Sequence, residues 1–148
     1  MSHRQITIAI DAMGGEGSPL KCLKGAEIFS NNHQGVMLQF FGDQDLIKQT
    51  IKNHKLNITN YKIVKCFDNV TDDDNANTIL RSRKNSSISR GLTFIKDNPN
   101  SGFISAGNTA ALMILSRLIL GMIEGVNRPA ICSTIPNEKS YSLMMDLG

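Results

Sequence analysis

The stretch ITIAIDAMGGEGSP (residues 6–19) joins a buried strand to a helix through a glycine-rich loop. Its first five residues are apolar or β-branched on both faces of an extended chain. That pattern is typical of a strand covered on both sides in a parallel sheet. Pro19 stands where helices often begin, and apolar residues recur at helical spacing over residues 20–28. The stretch therefore predicts a β–loop–α unit.

Strand and helix patterns alternate along the rest of the chain. Strands are predicted at residues 36–42, 61–67, 102–106, 129–135 and 141–148, and helices at residues 43–54, 79–98 and 110–123. The helical pattern over residues 79–98 restarts near residues 85–87, which indicates two helices with a break there. Such alternation predicts βαβ units, and hence a three-layer α/β/α, Rossmann-like fold with a mostly parallel sheet.

Length, composition and charge limit which classes of function are possible. The 148 residues suffice for one domain, with 41% hydrophobic and 20% charged residues. The formal net charge of +3 is compatible with acidic partners or phosphorylated ligands. No Lys/Arg block is long enough to follow a nucleic-acid backbone, so we expect no nucleic-acid partner.

Three cysteines, Cys22, Cys66 and Cys132, lie far apart in the sequence and form no C-x-x-C pair. An odd number of widely spaced cysteines argues against a disulfide framework and for a reducing, cytoplasmic setting. No metal or redox motif is present, so we expect no metal and no cofactor. The apolar run over residues 110–123 contains Arg117 and is too short to span a bilayer.

Polar clusters follow four of the predicted strands. They read DAMGGEG (residues 11–17), SAGNT (105–109), STIPNE (133–138) and DLG (146–148). Ligands of open α/β sheets bind outside the carboxyl ends of the strands, so these clusters predict a binding site at that edge.

The cluster DAMGGEG offers Gly14 and Gly15 beside the carboxylates of Asp11 and Glu16. Adjacent glycines let backbone N–H groups turn toward an anion. The alternative is a tight strand-to-helix turn for which glycine is merely convenient. The spacing is not G-x-G-x-x-G, so a nicotinamide cofactor is not expected.

The cluster SAGNT supplies hydroxyls at Ser105 and Thr109, a glycine at Gly107 and an amide at Asn108, all before a helix. A helix N-terminus carries partial positive charge, so these groups suit a phosphate or a carbonyl oxyanion. The alternative is a simple N-cap by Asn108 or Thr109.

The stretch RSRKNSS (residues 81–87) places Arg81 and Lys84 on one helix face, ahead of Ser86 and Ser87 at the expected start of the next helix. Arg and Lys suit phosphate, whereas a solvated basic face is the plain alternative. Asp11 and Asp146 both end predicted strands, where paired carboxylates could bind a metal or orient a base. A single aspartate at a strand end more commonly caps a helix.

These motifs together resemble the bacterial phosphate acyltransferase family of membrane phospholipid synthesis. The matching stretches are IAIDAMGGEGSP (residues 8–19), FFGD (40–43), ILRSRKNSSI (79–88), FISAGNTAALM (103–113), RPAI (128–131) and LMMDLG (143–148). The chain departs from the family pattern at Glu16, where Asp is usual, and at Ala110, where Gly is usual. A Pro expected shortly before Arg81 is also missing.

The resemblance implies a transferase that makes acyl phosphate from acyl-acyl carrier protein and inorganic phosphate, without a cofactor, on an isopropylmalate dehydrogenase-like fold. It implies a cytoplasmic homodimer, peripheral membrane association and contact with the downstream glycerol-3-phosphate acyltransferase. Family members are about twice as long, so residues 1–148 would be the N-terminal part of a single α/β acyltransferase domain whose C-terminal half is absent. We expect this part alone to be inactive.

The resemblance also implies roles for residues at the matching positions. Asn108, Ser105 and Lys84 are the expected catalytic residues. The expected phosphate- and substrate-binding residues are Asp11, Gly14, Gly15, Glu16, Arg81, Ser86, Ser87, Gly107, Thr109, Arg128 and Asp146. A phosphate acetyltransferase-like enzyme, a metal-dependent decarboxylating dehydrogenase and an inert truncated product remain the alternatives.

Overall fold

The structure, a computed structural model, describes residues 5–68 and 84–147. The strands in these ranges are β1 (Thr7–Asp11), β2 (Met37–Gly42), β3 (Tyr61–Lys65), β4 (Ser101–Ile104), β5 (Cys132–Pro136) and β6 (Tyr141–Met145). The helices are α1 (Leu20–Asn32), α2 (Gln44–Asn53), α3 (Ser87–Asp97) and α4 (Thr109–Ile119). The part of the predicted helix before residue 84 lies largely outside the described residues.

Four strands form a parallel sheet in the order β3-β2-β1-β4, as the alternation predicted. The first strand is central, and its Ile10 pairs with Phe40 of β2 on one side and Ile104 of β4 on the other. After β1, the chain adds β2 and then β3 on one side of β1. It then crosses back and adds β4 on the other side of β1. The gap between β1 and β4 is therefore a topological switch point, where doubly wound sheets bind ligands.

Helices cover both faces of this sheet. Helices α1 and α2 pack Leu23 and Ile47 against one face, together with Leu38 and Phe40 of β2. On the other face, α3 covers the neighbouring strand residues, which include Phe41. Helix α4 packs on α3 through a separate apolar cluster. The predicted three-layer arrangement is confirmed, because successive residues of a buried strand face opposite layers.

The last two strands correct the expectation that their polar clusters lie at the edge of the parallel sheet. Strands β5 and β6 pair antiparallel in a separate two-stranded sheet, and every residue in both is exposed. Only residues 137–140 connect them, which allows a hairpin but not the long crossover that parallel strands need. Asn137 closes the turn, since its Oδ1 accepts the Ser140 N–H at 2.8 Å. STIPNE therefore comprises the end of β5 and the first two residues of the hairpin turn.

Helix α4 ends at Ile119, four residues before the end of the predicted apolar run. The side chains of Arg117 and Leu118 near its end are exposed. Among the described residues, no helix has both the length and the apolar character needed to cross a membrane.

Two glycines within helices should respond oppositely to alanine. A Cβ at Gly91 of α3 would collide with the Phe103 ring, whereas a Cβ at Gly25 of α1 would meet no atom within 4 Å. We expect Gly91→Ala to lower the free energy of unfolding by about 1–2 kcal/mol, because overpacking outweighs the gain in helix propensity. Gly25→Ala should raise it by about 0.5–1 kcal/mol. Urea unfolding of both variants measures this, and equal changes would contradict it.

Candidate functional site

A chain of hydrogen bonds joins the ends of β1 and β4. Asp11, the last residue of β1, is only 3% exposed. Its Oδ2 accepts the Ser105 hydroxyl at 2.7 Å and its Oδ1 accepts the Met13 N–H at 3.0 Å. The Ser105 oxygen in turn accepts the Gly107 N–H at 3.1 Å. The carboxylate thus holds the loop after β1 and the loop after β4 together.

Gly14 and Gly15 lie where these two loops touch. A Cβ on Gly14 would meet the Asp11 carboxylate and come within 2.8 Å of the Gly107 nitrogen. A Cβ on Gly15 would lie 2.8 Å from the Ala106 carbonyl oxygen, and Gly15 also has a φ of +88°. Both positions therefore exclude a side chain, so glycine here does more than permit a turn.

Asn108 is the N-cap of α4, as one interpretation of the sequence predicted. Its Oδ1 accepts the Ala111 N–H at 2.8 Å, while Thr109 is the first helical residue. Because Oδ1 makes the cap, the amide Nδ2 is left as a donor, and it has no acceptor among the residues that the structure describes. The cap and a donor role are compatible.

Helix α3 begins at Ser87, which confirms that the helical pattern restarts near residues 85–87. The predicted first helix lies largely outside the described residues. The structure separates the two serines at the start of α3. Ser86 is fully buried and caps the helix, accepting the Ser89 N–H at 3.2 Å. Ser87 is 2% exposed, and its hydroxyl has no hydrogen-bond partner within residues 5–68 and 84–147. Ser86 therefore stabilises the start of the helix, whereas the Ser87 hydroxyl is available to bind a ligand.

These elements surround a polar cavity of about 460 Å³. Its lining comprises Asp11, residues 13–16 of the first loop, Ser87 and Ile88 of α3, and residues 106–108. The N-termini of α3 and α4 both reach it. The first N–H groups of a helix lack intrahelical acceptors and carry partial positive charge, so two such ends on one cavity favour an anion.

Two carboxylates, Asp11 and Glu16, line the same cavity. Their negative charge opposes a fully ionised anion. A protonated oxyanion can instead donate its hydrogen to a carboxylate oxygen while the helix N-termini attract its charged oxygens. The arrangement therefore combines donors and acceptors, as a monohydrogen phosphate would require.

Six predicted site residues that the structure describes do not line the cavity: Lys84, Ser86, Ser105, Thr109, Arg128 and Asp146. Lys84 is exposed, and Arg81 lies outside the described residues. Arg128 and Asp146 are both exposed, and the Asp146 N–H donates to the Ile131 carbonyl at 2.9 Å near the base of the hairpin. Met13, Ile88 and Ala106 also line the cavity, although the sequence did not predict them as site residues. Their position inside the recognised motifs was the one sequence feature that could have indicated this role.

Two cysteine thiols are poor nucleophiles at neutral pH. Burial, reinforced by the charge of Asp11, raises the pKa of Cys22 to about 11. Burial likewise raises the pKa of Cys66 to about 11. Within the described ranges, no three His, Cys, Asp or Glu side chains are grouped so as to hold a metal ion.

The fold and the cavity define a doubly wound α/β protein with a polar site at its switch point. The family model described as "Fatty acid synthesis protein" matches residues 6–148, and the chain belongs to that family.

The chain also resembles curated enzymes named "Phosphate acyltransferase". It is 38% identical to that of Wolbachia pipientis subsp. Culex pipiens (strain wPip), over 99% of this chain and 44% of the relative. It is 40% identical to that of Polynucleobacter necessarius subsp. necessarius (strain STIR1), over 97% of this chain and 43% of the relative. The chain thus spans less than half the length of these relatives.

The hydrogen bond between Ser105 and Asp11 should contribute more to the free energy of unfolding than a hydrogen bond at the surface. We expect Ser105→Ala to lower the free energy of unfolding by about 1–3 kcal/mol, because the buried carboxylate loses a partner. The matched control is Ser142→Ala, which removes the exposed hydrogen bond from Asn137 and should cost about 0.5 kcal/mol or less. Urea unfolding decides, and equal costs would contradict a special role for the Asp11 contact.

Proposed function

We propose that this chain provides the phosphate site of a phosphate acyltransferase, which transfers the acyl group of acyl-acyl carrier protein to inorganic phosphate. The observation that carries the proposal is the convergence of the α3 and α4 N-termini on one polar cavity, with the Ser87 hydroxyl available inside it. Membership of the family and the name of the relatives support the same reaction.

The chemistry needs positioning more than an activated side chain. A phosphate oxygen attacks the thioester carbonyl carbon, the carbon–sulfur bond breaks, and the carrier thiolate leaves and takes up the phosphate proton. Helix N–H groups, Ser87 and the Asn108 amide would hold the phosphate and stabilise the oxyanion of the tetrahedral intermediate. Asp11 or Glu16 would accept the hydrogen of the phosphate before it moves. The basic residues Arg81 and Lys84 would add positive charge beside this site.

The partners of the proposed reaction follow from the same family. Acyl carrier protein is acidic, and the formal charge of +3 on this chain supports its approach. A homodimer, a cytoplasmic location, peripheral membrane association and contact with the downstream glycerol-3-phosphate acyltransferase belong to the proposal through the family resemblance alone.

The two neighbouring serines provide a matched test of phosphate binding. Titration of the purified 148-residue chain with inorganic phosphate, followed by calorimetry, should show binding that Ser87→Ala weakens by about threefold to tenfold, because one hydrogen bond is lost. Ser86→Ala should instead lower the free energy of unfolding by about 0.5–2 kcal/mol, because the helix cap is lost, and leave phosphate affinity nearly unchanged.

Sulfate is the control anion, since it has the same shape but carries no proton at neutral pH. We expect sulfate to bind about tenfold or more weakly than phosphate, because it faces two carboxylates without a hydrogen to donate. A folded chain that binds neither anion, or an equal loss of phosphate affinity in the two serine variants, would contradict the proposed site.

Asn108 can be tested as a donor separately from its role as a cap. Serine is also a good N-cap, so Asn108→Ser should preserve stability to within about 0.5 kcal/mol while removing the amide donor. In an active protein that contains these residues, Asn108→Ser and Asn108→Ala should both lower turnover by ~100-fold or more. Acyl phosphate trapped with hydroxylamine measures this. A change under about threefold in Asn108→Ser would leave Asn108 as a helix cap only.

A further inference from the structure

A second cavity of about 480 Å³ lies beside the polar one, and the proposed phosphate chemistry does not use it. It opens on the face of the sheet that α1 covers. Its apolar lining comes from the strands and from α1, and includes Ile8, Ile10, Ala26, Phe29, Leu38 and Ile104. The volume is within the range of about 300–1,000 Å³ that small-molecule sites occupy.

The side chains of the described residues leave this space open. Among the described strands, β4 is at the edge of the sheet, and its Ile104 is 56% exposed although it lines the cavity. On the opposite wall, Gly25 of α1 presents no side chain, and a Cβ there would meet no atom within 4 Å. An open apolar cavity of this size costs free energy unless something apolar occupies it.

The apolar and polar cavities share a rim. Five residues line both of them: Asp11, Gly14, Gly15, Glu16 and Ala106. The charged residues of the apolar cavity, Asp11, Glu16 and Lys21, belong to this end, since the Lys21 side chain lies against Gly17 of the loop. A ligand with an apolar tail and a polar head could therefore lie across the rim.

We propose that the apolar cavity binds the hydrocarbon chain of the acyl thioester and places its carbonyl at the shared rim. The inference rests on the proposed function, and it adds the location of the acyl tail. Reacting atoms must approach to about 3–3.5 Å, so a thioester attacked by phosphate in the polar cavity must send its tail into adjoining space. The rim is made of glycines and an alanine where it is not charged, which permits that close approach.

Cys22 is compatible with this use of the cavity that it lines. Because its pKa is about 11, the thiol is neutral at physiological pH and faces the tail as an apolar group. A thiolate at that place would compete with phosphate for the acyl group, and burial prevents it from forming.

The probe for the test is a series of N-acetylcysteamine thioesters with acetyl, hexanoyl and decanoyl chains. They are titrated into the 148-residue chain by calorimetry without phosphate. Affinity should rise by about fourfold for each methylene until the cavity is full. Ile104→Asn, which places a polar group on the cavity wall, should weaken decanoyl binding by about tenfold.

The matched control is Ile28→Asn, since Ile28 is 67% exposed on α1 and does not line the cavity. It should change decanoyl affinity by less than about twofold, because no ligand contact is lost. Gly25→Phe is a second variant that fills the cavity from the helix side, and it should also weaken decanoyl binding by about tenfold. Circular dichroism confirms that each variant is folded.

Phosphate titration in parallel separates this inference from the proposed function. Intact phosphate binding, with decanoyl no tighter than acetyl or with Ile104→Asn and Ile28→Asn equivalent, overturns the inference and leaves the phosphate site standing. Absence of phosphate binding overturns the proposed function whatever the thioesters do. A decanoyl affinity that falls in Ile104→Asn and Gly25→Phe but not in Ile28→Asn supports the tail in this cavity.

Discussion

The site depends on one partly buried contact, the 2.7 Å hydrogen bond from the Ser105 hydroxyl to the Asp11 carboxylate. These residues are 94 positions apart in sequence, yet they end neighbouring strands of one sheet. A buried carboxylate is costly unless it is hydrogen-bonded, so each loop stabilises the position of the other. Gly107 is drawn into the same network through the Ser105 oxygen. The start of α4 is thereby held beside the loop that follows β1.

Local signals in the sequence predicted the parts of the fold that local interactions determine. The buried pattern of β1, the Asn108 cap and the restart of the helical pattern near Ser87 all depend on a few adjacent residues, and all three are confirmed. The pairing of β5 with β6 depends on which strand lies alongside, and β-propensity alone does not state that. The feature of the sequence that indicates antiparallel pairing is the connection at residues 137–140, because it is too short for the crossover that parallel strands need.

The neighbouring serines show why membership of a motif does not assign a role. Ser86 and Ser87 are identical in type and adjacent in sequence, but one residue along a helix start rotates the side chain by about 100°. Ser86 therefore points into the fold and caps α3, whereas Ser87 lines the polar cavity. Sequence reasoning placed both on one anion-binding wall. The distinction depends on how α3 packs against the sheet, which local pattern does not reveal.

The shared rim gives a second reason for the glycines after β1. Gly14 and Gly15 must be glycine because the Asp11 carboxylate and the loop after β4 occupy the space that a Cβ would need. They also line both cavities, so the same lack of side chains lets a ligand approach the backbone from either side. One geometric constraint thus serves folding and binding together. A substitution there would move the loop contact and both cavity walls at once, so its effects on stability and on ligand affinity are coupled and cannot be assigned to binding alone.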